Sequence, residues 1–322
     1  MDEGFRDAPQ RGGHGSGHVP VLLKEAIDFL NIRRGGTYID ATVGLGGHSY
    51  EIVKRLGAPG RLIGLDKDPR ALEIARERLV VKPSVGSEDW PAVELRQGSF
   101  REIAQDRQPT TIDGILADLG LSSLQLGDAA RGFSFQAEGP LDMRMNPHSE
   151  LTAEQVVNQF DERELADLIY EFGEERRSRR IARAIVRSRP IRTTAQLADV
   201  VSAAARPMNR GRDEYDRRIH PATRTFQAIR IFVNRELDDL RAMLKAAPGV
   251  LKPGGRLVII SFHSLEDRIV KDALRDGAKA RVYRLLTKKP VEAGDEEIDR
   301  NPRSRSAKLR AAERTENSAS RR

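Results

Sequence analysis

The chain has 322 residues, a formal net charge of +7 and a pI of about 9.7, with a mean hydropathy of −0.53. This length allows one large α/β domain and a smaller one. No apolar run approaches the roughly 18 residues that span a bilayer, and residues 1–17 lack the apolar centre of a secretory signal. We therefore expect a cytoplasmic protein without a membrane anchor.

The chain contains no cysteine. Its absence excludes disulfides, Cys-ligated zinc, iron–sulfur clusters and a thiolate nucleophile, and we predict no metal site. The excess of basic residues favours an anionic partner such as nucleic acid, although a solvated arginine-rich surface explains the same charge.

A strand, a glycine-rich turn, a helix and a second strand are predicted between residues 37 and 66. The first strand covers 37–42, the helix starts near Ser49, and the second strand covers 61–66. This is the order of a dinucleotide-binding unit, in which glycines let the backbone approach a ligand and an acid about 20 residues later binds ribose hydroxyls. Asp66 is that acid, so the segment predicts a nucleoside-like cofactor.

The glycine pattern and one further acid distinguish between cofactors. Gly44 and Gly46 fit the first two places of G-x-G-x-x-G, but Ser49 occupies the third. Asp40, at the end of the first strand, would repel a pyrophosphate and would suit a cation. S-adenosylmethionine carries a sulfonium and an ammonium but no phosphate, and we predict it as the cofactor.

The remaining strands and a helical segment complete an α/β pattern. Between 127 and 218 we find only helical periodicity and charge, with capping-box spacings at Thr152 and Asp161 and a predicted C-cap at Gly173. One long helix is predicted from about 220 to 244. Further strands are predicted at 93–98, 114–118 and 256–262, with a final edge strand at 307–313.

The predicted strand ends bring several candidate site residues to one edge of the sheet. In an open parallel sheet, ligands bind at the carboxyl ends of the strands. Taken singly, a residue such as Phe100 is more often part of the core, Asp118 also fits a helix cap, and a histidine such as His263 is more often structural. Their recurrence at successive strand ends favours a shared site. These ends carry Asp40, Gly44 to His48, Asp66, Phe100, Asp118 and Ser261 to Ser264.

The chain closely resembles the bacterial small-subunit ribosomal RNA (cytosine-N4)-methyltransferases, the MraW/RsmH family, from about residue 18 to 315. The motifs that carry the resemblance are HVPVL at 18–22, GGHS at 46–49, DLGLSS at 118–123, RGFSF at 131–135, GPLDMRM at 139–145, GEER at 173–176, HPATRTFQA at 220–228 and SFHSLED at 261–267. The chain departs from the usual pattern at Leu124 and Gly127.

The resemblance implies a class I methyltransferase (Rossmann-like) sheet with an inserted all-helical domain. It also implies S-adenosylmethionine as cofactor and N4-methylcytidine in 16S ribosomal RNA, at the decoding centre, as product. The predicted boundaries are a disordered tail 1–17, a core of 18–126 and 219–314, a helical substrate-binding domain 127–218 and a disordered tail 315–322. By position, the cofactor contacts are Gly46, Gly47, His48, Asp66, Phe100, Asp118 and Gln125.

Methyl transfer to an exocyclic amine requires alignment more than acid–base chemistry. An oxygen that accepts a hydrogen bond from the amine would help, and Asp118 is the first candidate, with His263 and Ser264 as second candidates in the catalytic pocket. We predict that the helical domain holds the backbone of 16S RNA, in the small subunit or its assembly intermediate, through phosphate contacts. The predicted substrate-binding residues are Asp142, Arg144, Arg179, Arg180 and Arg224.

Three alternatives remain beside this interpretation. A small-molecule methyltransferase would share the core but has little use for a basic insertion, and a non-catalytic RNA-binding module would not need Asp66 or the glycine turn. A carbon-5 cytosine methyltransferase is disfavoured because the chain has no cysteine. The residues alone do not choose cytosine over adenine, which rests on the resemblance. They also leave monomer and homodimer open.

Overall fold

The structure, a computed structural model, describes residues 20–80, 89–105, 110–205 and 220–316. Seven strands form one sheet in the order β3-β2-β1-β4-β5-β7-β6, in which β7 runs antiparallel to both of its neighbours and β1 to β5 are parallel. The predicted α/β fold with a Rossmann-like sheet is confirmed. The strands are β1 Thr37–Asp40, β2 Arg61–Asp66, β3 Ala92–Gln97, β4 Ile112–Asp118, β5 Leu251–Ser261, β6 Tyr283–Leu285 and β7 Lys308–Arg314.

Helices cover both faces of the sheet. Successive side chains along a strand point to opposite faces, and here both faces are apolar, so each is buried beneath helices. Tyr38 and Leu62 belong to the core beneath α1 to α3, whereas Ile39 and Ile63 belong to the core beneath α10 and α11. Twelve α-helices lie in the described ranges: α1 Leu23–Leu30, α2 Gly47–Leu56, α3 Pro69–Val80, α4 Ser123–Gly127, α5 Ala153–Gln159, α6 Glu162–Gly173, α7 Ser178–Arg187, α8 Thr194–Ala205, α9 Thr223–Asn234, α10 Glu236–Val250, α11 Ser264–Lys279 and α12 Asp295–Arg300.

Helices α5 to α9 surround a third core, which contains Val156, Ile169, Ile181, Leu197 and Phe226. Residues 127–205 contain no strand, only an isolated bridge between Pro140 and Thr193. Phe226 belongs to α9, so a helix that follows the predicted insertion completes its core. The boundaries at 127 and 218 stay predictions.

The helical segment begins its helices where the sequence indicated. Thr152 and Gln155 form a capping box at α5, and Asp161 and Glu164 form another at α6. The predicted C-cap at Gly173 is wrong, because α6 includes this residue and Glu174, at φ +49°, is the cap. Gly173 instead permits close packing on α9: a Cβ there would lie 2.7 Å from the carbonyl oxygen of Arg224.

Two other predictions about the second half of the chain are wrong. The single long helix is two helices, α9 and α10, because Arg235 adopts a left-handed conformation at φ +53°. The buried Asn234 amide fixes this break by donating to the carbonyl oxygen of Met143 and accepting from the backbone N–H of Met145. The predicted edge strand, β7, lies inside the sheet, between β5 and the short β6, which the sequence analysis did not identify.

The predicted tail 1–17, and the predicted tail 315–322 except Thr315 and Glu316, lie outside the described residues. Thr315 donates its backbone N–H to the carbonyl oxygen of Val282. Within the described residues, no helix combines the length and apolar character needed to cross a membrane.

Candidate active site

A cleft of about 1040 Å³, part of it open to solvent, lies at the carboxyl ends of the parallel strands. Its position agrees with the general rule for ligand sites in open α/β sheets. Its walls come from the segment after β1, the ends of β2 and β4, the glycine turn, α10 and the start of α11. Six of the seven predicted cofactor residues line it, namely Gly47, His48, Asp66, Phe100, Asp118 and Gln125, whereas Gly46 does not.

The glycine turn shapes the cleft through backbone conformation and close packing. Gly46 precedes α2 at φ +78°, a conformation that residues with a side chain rarely adopt. Gly47 packs against Pro20, and a Cβ at this position would lie 2.4 Å from the Cγ of that proline. Pro20 also lines the cleft, so a larger residue at 47 would displace part of the wall.

Asp66 presents an anchored carboxylate at the end of β2. Its Oδ2 accepts the backbone N–H of Gly44 at 2.7 Å, and its Oδ1 accepts that of Asp68 at 2.8 Å. Burial raises the pKa of Asp66 to about 6, and these two hydrogen bonds oppose the rise. Each carboxylate oxygen retains a second lone pair, so the group can accept hydroxyl donors such as those of a ribose.

Asp40 lies beneath the cleft and does not line it. Its carboxylate is 1% exposed and accepts hydrogen bonds from the Ser49 hydroxyl at 2.5 Å and the Thr42 backbone N–H at 3.1 Å. Asp40 therefore fixes the glycine turn to the first turn of α2, and its contribution to ligand charge preference is indirect.

His48 and Asp118 face each other at the ends of α2 and β4. His48 Nε2 lies 3.0 Å from the carbonyl oxygen of Val21, which assigns the ring proton to Nε2, and Nδ1 lies 3.7 Å from Asp118 Oδ2. Asp118 Oδ1 is buried and has no hydrogen-bond partner among the described residues. The Asp118 side chain is 22% exposed and lines the cleft, so the other oxygen, Oδ2, is the one that a ligand donor can reach.

Burial dominates the electrostatics of this pair. It raises the pKa of Asp118 to about 7, an effect that the Arg303 guanidinium opposes and the Glu266 carboxylate reinforces. Burial lowers the pKa of His48. The site therefore holds a neutral imidazole beside a carboxyl group that changes its charge near neutral pH.

Phe100 and Gln125 form two further parts of the wall. Phe100 begins a 3-10 helix after β3, and Lys67 Nζ lies 5.9 Å from the centroid of its ring. The Gln125 amide donates to Asp68 Oδ2 at 3.1 Å and accepts the backbone N–H of Ser122, so both of its polar atoms bind protein. Gln125 holds the loop after β4 in place at the same time as it lines the cleft.

The other two predicted catalytic residues do not line the cleft. His263 caps α11, where its Nδ1 accepts the backbone N–H of Glu266. Ser264 donates its hydroxyl to the Glu174 carboxylate, which also accepts from Arg268 Nη2 at 2.8 Å. The neighbouring Glu266 is 2% exposed and lines the cleft in their place.

The predicted substrate-binding residues lie outside the cleft. Asp142 and Arg144 form an ion pair at 2.6 Å, and Arg224 Nη1 lies 3.6 Å from Glu175 Oε2. Arg179 and Arg180 are exposed on α7 and form no ion pair with any described residue. Among the five predicted substrate-binding residues, only Arg179 and Arg180 expose guanidinium groups that form no ion pair with a described residue.

Two arginines at the site were missed by the sequence analysis. Arg131 pairs with the buried Asp68 at 2.8 Å, and its RGFSF motif was a signal for it. Arg303 lines the cleft from the 3-10 helix Pro302–Ser306; Nη1 donates to the Ser123 hydroxyl at 2.6 Å and Nη2 to the carbonyl oxygen of Leu121. No sequence pattern places Arg303 there, because about 180 residues separate it from these partners.

The charges in the cleft fit a cationic nucleoside better than a polyphosphate. Lys67 pairs with Asp239 at 2.7 Å, and Glu236 pairs with Arg230 at 2.8 Å. Three lining carboxyl groups without a lysine or arginine ion pair among the described residues remain, those of Asp66, Asp118 and Glu266, and the guanidinium of Arg303 lines the same cleft. Phosphates would face these acids, whereas a sulfonium and an ammonium would be stabilised by them.

Known proteins match the chain over nearly its whole length. The model of the MraW methylase family matches residues 15–315. "Ribosomal RNA small subunit methyltransferase H" of Koribacter versatilis is 69% identical, with 98% of this chain and 100% of the relative covered. The proteins of that name from Acidobacterium capsulatum and Nitrobacter winogradskyi are 64% and 50% identical, covering 92% and 94% of this chain and 98% and 92% of theirs. The chain therefore belongs to the MraW methylase family, as its motifs predicted.

Proposed function

We propose that the protein methylates the exocyclic N4 amine of a cytidine in 16S ribosomal RNA, at the decoding centre of the small subunit. Membership of a methylase family makes it an S-adenosylmethionine-dependent methyltransferase, and its relatives are named for small-subunit ribosomal RNA. The choice of cytosine N4 and of the decoding centre rests on the resemblance of the motifs. One observation carries the chemistry: the Asp118 carboxyl group lines the cleft with Oδ2 accessible and forms no ion pair with a lysine or arginine among the described residues.

The residues that line the cleft would contact the ribose, the adenine and the positive charges of S-adenosylmethionine. Asp66 would accept the ribose hydroxyls, Phe100 would pack against adenine, and the acidic side of the cleft would stabilise the positive charges. When bound, S-adenosylmethionine supplies a methyl group that leaves the sulfonium sulfur while the electron pair of the broken bond stays on sulfur.

Asp118 holds the amine that receives this methyl group. The cytosine N4 lone pair is shared with the ring, so the nitrogen attacks poorly unless its N–H is polarised. Asp118 Oδ2 accepts that N–H and takes the proton that nitrogen must lose when its new N–C bond forms. His48 Nδ1, 3.7 Å from Oδ2, is the second acceptor in reach of that proton.

The helical segment supplies the contact with the RNA backbone. Arg179 and Arg180 on α7 are exposed and lack ion pairs with the described residues, unlike Arg183, which lies 3.2 Å from Glu162. Exposed guanidinium groups bind phosphate oxygens and fix the register of RNA without reading its sequence. The target base must leave its stack to enter the cleft, as for other enzymes that modify bases.

Nucleoside mass spectrometry tests this proposal. Purified protein, S-adenosylmethionine and small subunits from cells that lack the modification should yield N4-methylcytidine in 16S RNA. Asp118→Ala should lose most of this product at saturating cofactor, since removal of a polarising acceptor costs about 10²–10⁴-fold in rate. A product methylated at another atom, or full turnover by Asp118→Ala, would refute the assignment.

A further inference from the structure

Arg303 lines the cleft but has no role in the methyl transfer proposed above. It reaches the cleft from a 3-10 helix near the end of the described chain and contacts the loop that follows Asp118. Its hydrogen bonds to Ser123 and Leu121 use Nη1 and Nη2 once each, so three of the five guanidinium N–H groups have no partner among the described residues.

The guanidinium and the carboxyl group of Asp118 act on the same part of the cleft. Burial lowers the pKa of Arg303, and Asp118 opposes this change. The Arg303 charge in turn opposes the effect of burial on Asp118. The two residues line the same cleft but do not form an ion pair within 4.0 Å, so the carboxyl acceptor and the remaining guanidinium donors are both available to one edge of a bound ligand.

Cytosine presents the complementary order of groups along one edge. N4 donates, and the adjacent N3 and O2 both accept. Uracil presents an acceptor and then a donor at the equivalent positions, so it would place like groups against Asp118 and Arg303. Adenine offers the amine and one ring acceptor but no oxygen at the third position.

We propose that Arg303 reads the target base by donating to the N3 and O2 acceptors of cytosine while Asp118 accepts from its N4 amine. The proposal rests on the proposed function, because it names the residue that recognises the base in that reaction. Arg303 is then a substrate-binding residue that determines specificity, and its contacts with Leu121 and Ser123 orient the guanidinium.

The test pairs a protein variant with a base variant. Small subunits are reconstituted with cytidine or 3-deazacytidine at the methylated position; the analogue keeps the amine and O2 but lacks the N3 acceptor. Single-turnover methylation is then measured for the wild-type protein and for Arg303→Met. A hydrogen bond to a charged donor corresponds to about 10- to 100-fold in rate.

We expect the wild-type protein to lose about 10- to 100-fold on the analogue, and Arg303→Met to lose as much on cytidine but little more on the analogue. Changes in the intrinsic reactivity of the base cancel in this comparison, because they affect both proteins. Equal losses on the analogue for the two proteins would overturn the proposal. Absence of N4-methylcytidine with the wild-type protein would instead overturn the proposed function itself.

Three controls separate base reading from a structural effect. Arg305→Met removes an exposed arginine of the same 3-10 helix and should leave all rates unchanged. Ser123→Ala removes the partner of Nη1 but leaves that of Nη2, so it should retain part of the wild-type loss on the analogue. Arg303→Lys keeps the charge but not the fork, so it should behave like Arg303→Met if recognition needs two aligned donors. Cofactor binding, measured by calorimetry, verifies that each variant is folded.

Discussion

His48 Nδ1 lies 3.7 Å from Asp118 Oδ2, while the other imidazole nitrogen of His48 is held 3.0 Å from the carbonyl oxygen of Val21. The backbone contact places the ring proton on Nε2, so an unprotonated nitrogen faces the carboxyl group. Asp118 Oδ2 therefore faces His48 and the cleft, whereas Oδ1 is buried, and the charge of the carboxyl group decides whether it can accept from a substrate amine.

The rate of methylation should rise with pH through about 7. Burial raises the pKa of Asp118 to about 7, and only the deprotonated carboxylate can take the proton that the amine loses. Single-turnover rates at saturating cofactor and subunit, measured from pH 5.5 to 9, should fall tenfold per pH unit on the acidic side. A rate that is flat between pH 5.5 and 7.5 would contradict this role.

The contribution of Asp118 to folding stability should fall as pH rises, whereas the methylation rate should increase. A carboxyl group whose pKa is raised by folding stabilises the protein below its unfolded pKa near 3.8, and this stabilisation is lost as pH rises through about 7. Asp118→Asn should thus raise the free energy of unfolding at pH 8 by at most about 4 kcal/mol and change it little at pH 4. Denaturant titrations at the two pH values measure this difference, and equal effects would argue against the buried charge.

Asp66→Ala should weaken cofactor binding by about 1.5–3 kcal/mol, the usual range for a hydrogen bond to a charged group. The substitution also leaves the backbone N–H groups of Gly44 and Asp68 without their acceptor. Calorimetric titration with S-adenosylmethionine measures the loss, with Asp272→Ala on the exposed side of α11 as the matched control. Unchanged affinity in Asp66→Ala would place the ribose elsewhere.

Replacing Arg179 and Arg180 together with glutamine should weaken RNA binding and leave cofactor affinity intact. Each phosphate contact that is lost reduces the slope of log K against log salt by about 0.7 to 0.9, so the slope should fall by up to about 1.8. Filter binding to 16S RNA between 50 and 300 mM salt gives the slope. The double replacement of Arg76 and Arg241, two exposed arginines outside the helical segment, should have no such effect.

Ser264 and Glu174 should behave as one unit. Because the hydroxyl donates to a carboxylate that is 38% exposed, Ser264→Ala and Glu174→Gln should each cost no more than about 1 kcal/mol of stability. The double variant should cost no more than either single one. If Ser264→Ala instead abolishes methylation while Glu174→Gln does not, Ser264 has the catalytic role that the sequence motif predicted.

Local patterns predicted the parts of the molecule that local chemistry determines. The apolar strands, the glycine turn and the acids Asp66 and Asp118 are each defined by neighbours within a few residues, and the structure places them around one cleft. The sequence did not predict the break at Arg235, because the apolar face continues from α9 into α10. The contact between Arg303 and Ser123 depends on how segments far apart in the sequence pack together, so sequence periodicity does not predict it.

The position of β7 between β5 and β6 has a consequence for biosynthesis. Strand β5 pairs with Lys308–Arg314, which is synthesised after α11, β6 and α12, and within the described residues β6 pairs only with this same strand. Until then the nascent chain carries a long apolar strand with one open edge, which is a template for intermolecular pairing. A premature stop shortly before Lys308 would therefore leave the sheet unfinished in its interior and make the shortened product prone to aggregate.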